Sequence, residues 1–146
     1  MLRDWKTRRD DAGPTYTIRH GDALSRTEMA AAFRRLVQTV IAPGFQAVAE
    51  SAARQGVRCT VDCELGGIHP RATFVIRPSG RSIRFQLDAD GGAVREIEGV
   101  YHRPLGQRTC WTTVDELLRQ LTGWYVQSAA AAIVQDHFRS LDARGA

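Results

Sequence analysis

Val57-Arg58-Cys59-Thr60-Val61-Asp62-Cys63-Glu64, Ala72-Thr73-Phe74-Val75-Ile76-Arg77 and Ile83-Arg84-Phe85-Gln86-Leu87 are three runs in which apolar and polar residues alternate. A period of two places successive side chains on opposite faces of a strand, so each run predicts a half-buried β-strand. Pro78-Ser79-Gly80-Arg81 separates the second run from the third and reads as a hairpin turn. A tight turn at Ser79-Gly80 would set Ile76 opposite Ile83, Phe74 opposite Phe85 and Ala72 opposite Leu87. The other face would then carry Val75 beside Arg84, Thr73 beside Gln86, and the opposite charges of Arg71 and Asp88.

Asp88-Ala89-Asp90-Gly91-Gly92 makes the next turn, into a fourth strand from Ala93 to Tyr101. Its alternation fails midway, because the continuing register would set Glu96 against Phe85. A bulge near Arg95-Glu96 is expected to turn Ile97 inward instead. Residues 102–111, with Pro104 and Gly106, read as a loop.

Helical patterns flank the strands. Ser25-Arg26-Thr27-Glu28 and Thr113-Val114-Asp115-Glu116 each have the form of a capping box. The first helix is expected from about Thr27 to Gln55, with Gly56 as its stop. Its apolar stripe of Met29, Phe33, Leu36 and Val40 gives way past Pro43 to Phe45, Val48, Ala49 and Ala52, rotated by roughly a quarter to a third of a turn. Pro43 cannot donate a backbone hydrogen bond, so a kink or break is expected at Ala42-Pro43.

The last helix is expected over Thr112 to Leu141. Val114, Leu117, Leu118, Leu121 and Tyr125 form one stripe, and Val126, Ala130, Ile133, Val134 and Leu141 a second, nearly opposite. A straight helix of that length would run roughly 45 Å, beyond the ~38 Å width of a domain this size. One sheet cannot bury both stripes. A second copy of the chain on Val126, Ala130, Ile133, Val134 and Leu141 is one resolution. A break at Gly123 that folds the far half back is the other. The expected fold is α+β: a helix, a four-stranded antiparallel meander and a long C-terminal helix, with the helices on one sheet face. Thr15 to Arg19 is a candidate extra strand. Residues 1–14 are read as a flexible arm and 15–146 as a single domain.

The net charge is +4, with a pI near 9.4. Nineteen of the 20 basic residues are arginine, Lys6 being the exception, and alanine also numbers 19. Both have GC-rich codons, which points to a GC-rich bacterial genome. The charge is also diffuse, at +2 over 1–21, +1 over 22–55, +2 over 56–111 and −1 over 112–146. A surface that tracks phosphates usually concentrates its charge, so nucleic acid is not the expected partner. Three cysteines suit reduced thiols in a cytoplasm. There is no apolar run of 18 residues, and Met1 to Trp5 lacks the apolar core of a signal peptide.

No motif for chemistry is specific. Cys59 and Cys63 lie four apart on one strand face, where a metal site with His69, His102 or Cys110 competes with burial; their alternation with Val57 and Val61 favours burial. Cys110 and His102 are an ordinary loop pair. Asp88 to Gly91 resembles the start of a calcium loop, but position 99 is Gly where the bidentate Glu belongs. Glu96 and Glu98, two apart, have the spacing of catalytic carboxylates and also of edge-strand charges, and the edge reading is favoured. No catalytic residue, cofactor or metal ligand is therefore assigned. Arg58, Arg77 and Arg84 are the candidate anion-binding residues on the polar sheet face. The expected function is a non-enzymatic, homodimeric protein-interaction module. Two alternatives stand beside it: a ligand cavity between sheet and helices, with His20, His69 or His102 at its mouth, and a phosphate-binding or nucleic-acid-binding sheet face.

Overall fold

The computed structural model describes the backbone of residues 4–9, 15–20, 27–101 and 103–145, and the side chains of 27–101 and 103–141. The α+β architecture follows the expectation, with the helices on one face of an antiparallel sheet. The antiparallel meander has five strands: β3 (Arg58–Glu64), β4 (Arg71–Arg77), β5 (Arg81–Leu87), β6 (Val94–Val100) and β7 (Arg103–Trp111). Beyond β3, the strand β2 (Thr15–His20) pairs in parallel, and β1 (Asp4–Arg9), within the segment expected as an arm, pairs antiparallel with β2.

β7 occupies the segment expected as a loop. Its pairing with β6 shifts register between Glu96 and Ile97 and again between Glu98 and Gly99. These shifts leave Arg108 and Leu105 as extra residues, and two bulges erase the alternation by which a strand is recognised. Pro104, which lacks an N–H, is tolerated because β7 is the sheet edge.

The central hairpin differs from the expected register by two residues. Phe74 faces Ile83, Ala72 faces Phe85 and Arg71 faces Gln86. The turn is wider than a two-residue hairpin, since the Gly80 N–H donates to the Ile76 carbonyl at 2.8 Å and Gly80 takes φ +77°. A shift of two preserves the face of every side chain, and Phe74, Ile76, Ile83 and Phe85 are all fully buried. Asp88, expected beside Arg71, is instead gripped by Arg95, whose Nε and Nη2 donate to its two carboxylate oxygens at 2.8 and 3.0 Å.

The first helical segment comprises α1 (Glu28–Leu36), a π-helical turn over Val37–Ile41, and α2 (Ala42–Arg54). Its N-cap is Thr27, whose hydroxyl accepts the Ala30 N–H at 3.1 Å; Ser25, the expected cap, lies outside the described residues. The expected interruption falls in the π turn, just before Pro43. In an unbroken α-helix Phe45 would lie about 120° around from Phe33, and one extra residue in the π turn removes about 100° of that drift. Phe33, Ile41, Phe45 and Ala49 therefore all reach the core.

The second helical segment breaks, as one of the two expected resolutions required. α3 (Val114–Gln120) is capped by Thr113, which accepts the Glu116 N–H at 3.1 Å. Leu121 leaves helical geometry at ψ 69°, and α4 (Gly123–Gly145) starts afresh with the Thr122 hydroxyl accepting the Tyr125 N–H. α4 crosses α2 closely: a Cβ on Gly44 would lie 2.9 Å from Val126 Cγ1. The core is a single cluster between the inner sheet face and α1, α2 and α4. An aromatic row runs through it, with Phe45 5.5 Å from Phe74 and 5.7 Å from Phe85, and Phe85 6.0 Å from Trp111.

Candidate functional site

The outer sheet face has the residues that alternation turns away from the helices. On β3 and β4 these include Arg58, Thr60 and Asp62, and Thr73, Val75 and Arg77; on β5 they are Ser82, Arg84 and Gln86. Arg58 and Arg77 stand directly opposite each other across β3 and β4. Like charges in direct cross-strand register repel, and neither arginine forms an ion pair among the described residues. Glu64, in contrast, stands opposite Arg71 at the far end of the same strand pair.

A recess of about 120 Å³ opens in this face between β3, β4 and β5. Thr60, Asp62, Thr73, Ser82, Arg77 and Arg84 supply its polar lining, with Val75, Gly80 and Tyr101 completing the wall. Arg84 is half-buried, and its guanidinium is fixed on two sides. Nε donates to Thr73 Oγ1 at 3.1 Å and Nη1 to Gln86 Oε1 at 3.5 Å. Burial and the nearby charge of Arg71 lower its pKa, while Asp62 opposes them; a guanidinium remains charged regardless. A smaller recess of about 30 Å³ continues past Arg84 to Gly99, Arg103 and Pro104. At about 30 Å³ per water, the larger recess holds on the order of four. That suits the head group of a ligand, and is well below the ~300 Å³ of a site that engulfs a drug-sized molecule.

Tyr101 forms the rim. Its backbone has φ +47°, uncommon for a non-glycine residue. Three contacts hold it there. Its N–H donates to the Gly80 carbonyl at 3.0 Å, its hydroxyl donates to the Pro78 carbonyl, and its ring lies on Gly80. A Cβ on Gly80 would come within 2.6 Å of the ring, so only glycine admits this contact. Tyr101 is nonetheless 60% exposed.

The inner face contains one buried carboxylate. Glu96 sits opposite Phe85 in unbroken β5–β6 register and is 1% exposed. This corrects the expected bulge, which lies on the β7 side instead, and the reading of Glu96 as an edge-strand charge, since β7 takes the edge. The Tyr125 hydroxyl donates to Glu96 Oε1. With that proton committed, the Thr109 hydroxyl, 3.2 Å away, donates to the Tyr125 oxygen. The bulge turns Arg108 toward the same place, with Nε 3.7 Å from Glu96 Oε2. Burial and the Glu96 bond together raise the Tyr125 pKa, opposed by Thr109 and Arg108. Arg81, 3.2 Å from Glu98 and 3.5 Å from Asp136, forms a second tier. These groups satisfy one another and lock α4 to β6 and β7.

The other candidate residues fall as follows. Cys59 and Cys63 are fully buried, and burial pushes the Cys59 thiol up to about 12. Among the described residues no three His, Cys, Asp or Glu side chains are grouped as metal ligands. His69 is exposed, with Nδ1 3.4 Å from the Leu87 carbonyl, while His102 and the side chain of His20 lie outside the described residues. Val126, Ala130 and Ile133 are fully buried, and Val134 is nearly so. The stripe that called for a partner is thus covered by α2 and the sheet of the same chain, because the break before α4 lets it fold back; Leu141 alone of the five stays 46% exposed. Among the described residues, no helix is long and apolar enough to cross a membrane.

Sequence reasoning saw the arginines but not Tyr101 or the recess, which depend on the turn geometry around Gly80. The chain matches no protein-family model, no curated protein and no solved structure.

Proposed function

We propose that this protein is a binding module that takes an anionic head group on the outer face of its sheet, with Arg84 as the anchor and Arg77 and Arg58 as supporting charges. The observation that carries this reading is the recess itself: Arg84 is held rigid inside it by Thr73 and Gln86, with Arg77 on the same wall. A fixed guanidinium loses little freedom when it binds a phosphate or carboxylate, which favours strong charge-assisted hydrogen bonds. Thr60 and Ser82 add hydroxyls that can donate to the same oxygens. Titration with inorganic phosphate, followed by amide chemical shifts, tests this. Shifts should centre on Thr60, Thr73, Ser82 and Arg84 and disappear in Arg84→Met. Absence of shifts at high millimolar phosphate would discard the reading.

A second reading keeps the chain as a partner-binding module with another copy as the partner. It is supported by Trp124, 78% exposed beside a groove of about 350 Å³ between α2 and α4. Exposed tryptophans beside grooves are common anchors of interfaces. Sedimentation should show a dimer that Trp124→Ala weakens. A wild type that stays monomeric at high micromolar concentration would remove this reading.

A further inference from the structure

The phosphate-sized recess leaves Tyr101 without a role in charge recognition. Yet the chain places this residue with care: a left-handed backbone, two hydrogen bonds and a glycine beneath the ring all fix one orientation. One side of the ring rests on Gly80, and the residue as a whole is 60% exposed at the mouth of the recess. If the ring served only to brace the β4–β5 turn, burial would serve better. A large aromatic left open beside a cationic pocket is instead the arrangement in which a flat ring can stack while its anionic group is held below.

We infer that the ligand is a nucleotide unit, with its phosphate on Arg84 and its base stacked on Tyr101. This rests on the anion-binding reading above and adds the identity of the ligand to it. The size of the recess fits the assignment. It accepts the phosphate alone, so the sugar and base must lie outside, along the rim that Tyr101 forms. Stacking on a tyrosine tolerates every base, because each has a π-face. Recognition is thus expected to be indifferent to sequence and dependent on salt. The unit can be a free monophosphate or a link in a single strand. The smaller recess between Arg84 and Arg103 lies where a neighbouring phosphate of a strand would fall.

The test compares ligands that share a phosphate and differ in the base. Calorimetric or chemical-shift titrations with ribose 5-phosphate, adenosine 5′-monophosphate and an eight-residue oligothymidylate are run on the wild type, Tyr101→Leu, Tyr101→Phe and Arg84→Met. The wild type should bind adenosine 5′-monophosphate at least about fivefold tighter than ribose 5-phosphate. Tyr101→Leu should erase that preference, and Tyr101→Phe, which keeps the ring, should retain it. Arg84→Met should weaken all three ligands. Tighter binding of the oligonucleotide than of the monophosphate identifies a strand as the source, and the reverse order a free nucleotide. Equal wild-type affinity for ribose 5-phosphate and adenosine 5′-monophosphate would overturn the inference while leaving anion binding intact. Failure of every ligand would remove the anion-binding reading beneath it. The wild-type comparison decides even if Tyr101→Leu does not fold.

Discussion

The two faces of this sheet are built from the same strands and do opposite work. On the inner face Phe74, Ile76, Ile83 and Phe85 are fully buried against helices, and the one carboxylate there, Glu96, has its hydrogen bonds met by its neighbours. On the outer face Arg58 and Arg77 are set against each other without a carboxylate between them, and Arg84 is held in an open recess. Alternation along a strand makes this division possible, since each residue serves one face only. Charge placement that would be intolerable inside is available outside, where a ligand can relieve it. Stability and binding should therefore be separable by mutation.

The largest expected effect is on the inner face. Phe85 is fully buried and contacts the rings of Phe45, Trp111 and Tyr125. Phe85→Ala should cost about 3–5 kcal/mol in urea denaturation. A loss under about 1 kcal/mol would mean that the aromatic row is not the centre of the core.

Tyr125→Phe is expected to cost about 1.5–3 kcal/mol, because the buried Glu96 loses the hydroxyl that donates to it. It should also change the alkaline limb of the stability curve. A tyrosine whose native pKa is raised adds stability that is complete below its unfolded value, near 10, and is lost as pH climbs through the higher native value. The wild type should thus lose stability above about pH 10 more steeply than Tyr125→Phe. Parallel limbs in the two proteins would remove Tyr125 from this role.

On the outer face Arg84→Met should change stability by no more than about 1 kcal/mol, since it gives up two polar contacts but also relieves a buried charge. Phosphate binding should vanish in the same variant. A large loss of stability with binding unchanged would invert the assignment of the two faces.

The smallest effect is one of reactivity. Cys59 and Cys63 face inward, and Cys59 is held near 12, so neither should react with iodoacetamide in the native protein. Cys110, half-buried on the edge strand, should react first. Equal rates for all three thiols would contradict the burial of β3.

Much of the inner face could be read from the sequence, because burial imposes a pattern that a single run of residues displays. The alternation from Val57 to Leu87 assigns faces even where the hairpin register is off by two, since a two-residue slip leaves every side chain on its own side. What escaped the reading depends on exceptions to that pattern. β7 was hidden by the bulges at Arg108 and Leu105. Glu96 looked like a residue that should avoid the core, and only the arrival of Tyr125 from α4 makes its burial tolerable. The recess was partly legible: Arg58, Arg77 and Arg84 could be placed on one face, but Tyr101 could not be joined to them. That contact depends on a glycine turn and on a residue about twenty positions away.

The π turn over Val37–Ile41 bears on how this chain can change length. It lets one additional residue pass along the helix so that Phe33 and Phe45 meet the core together. Removing a single residue from that segment would let it relax to a regular helix and swing everything after it by about 100°. Phe45 and Ala49 would leave the core, and Gly44 would no longer meet Val126. Most exposed helix surfaces tolerate substitution freely, and much of this one is exposed at Gln38, Thr39 and Pro43. The segment should therefore accept many changes of residue while refusing a change in their number.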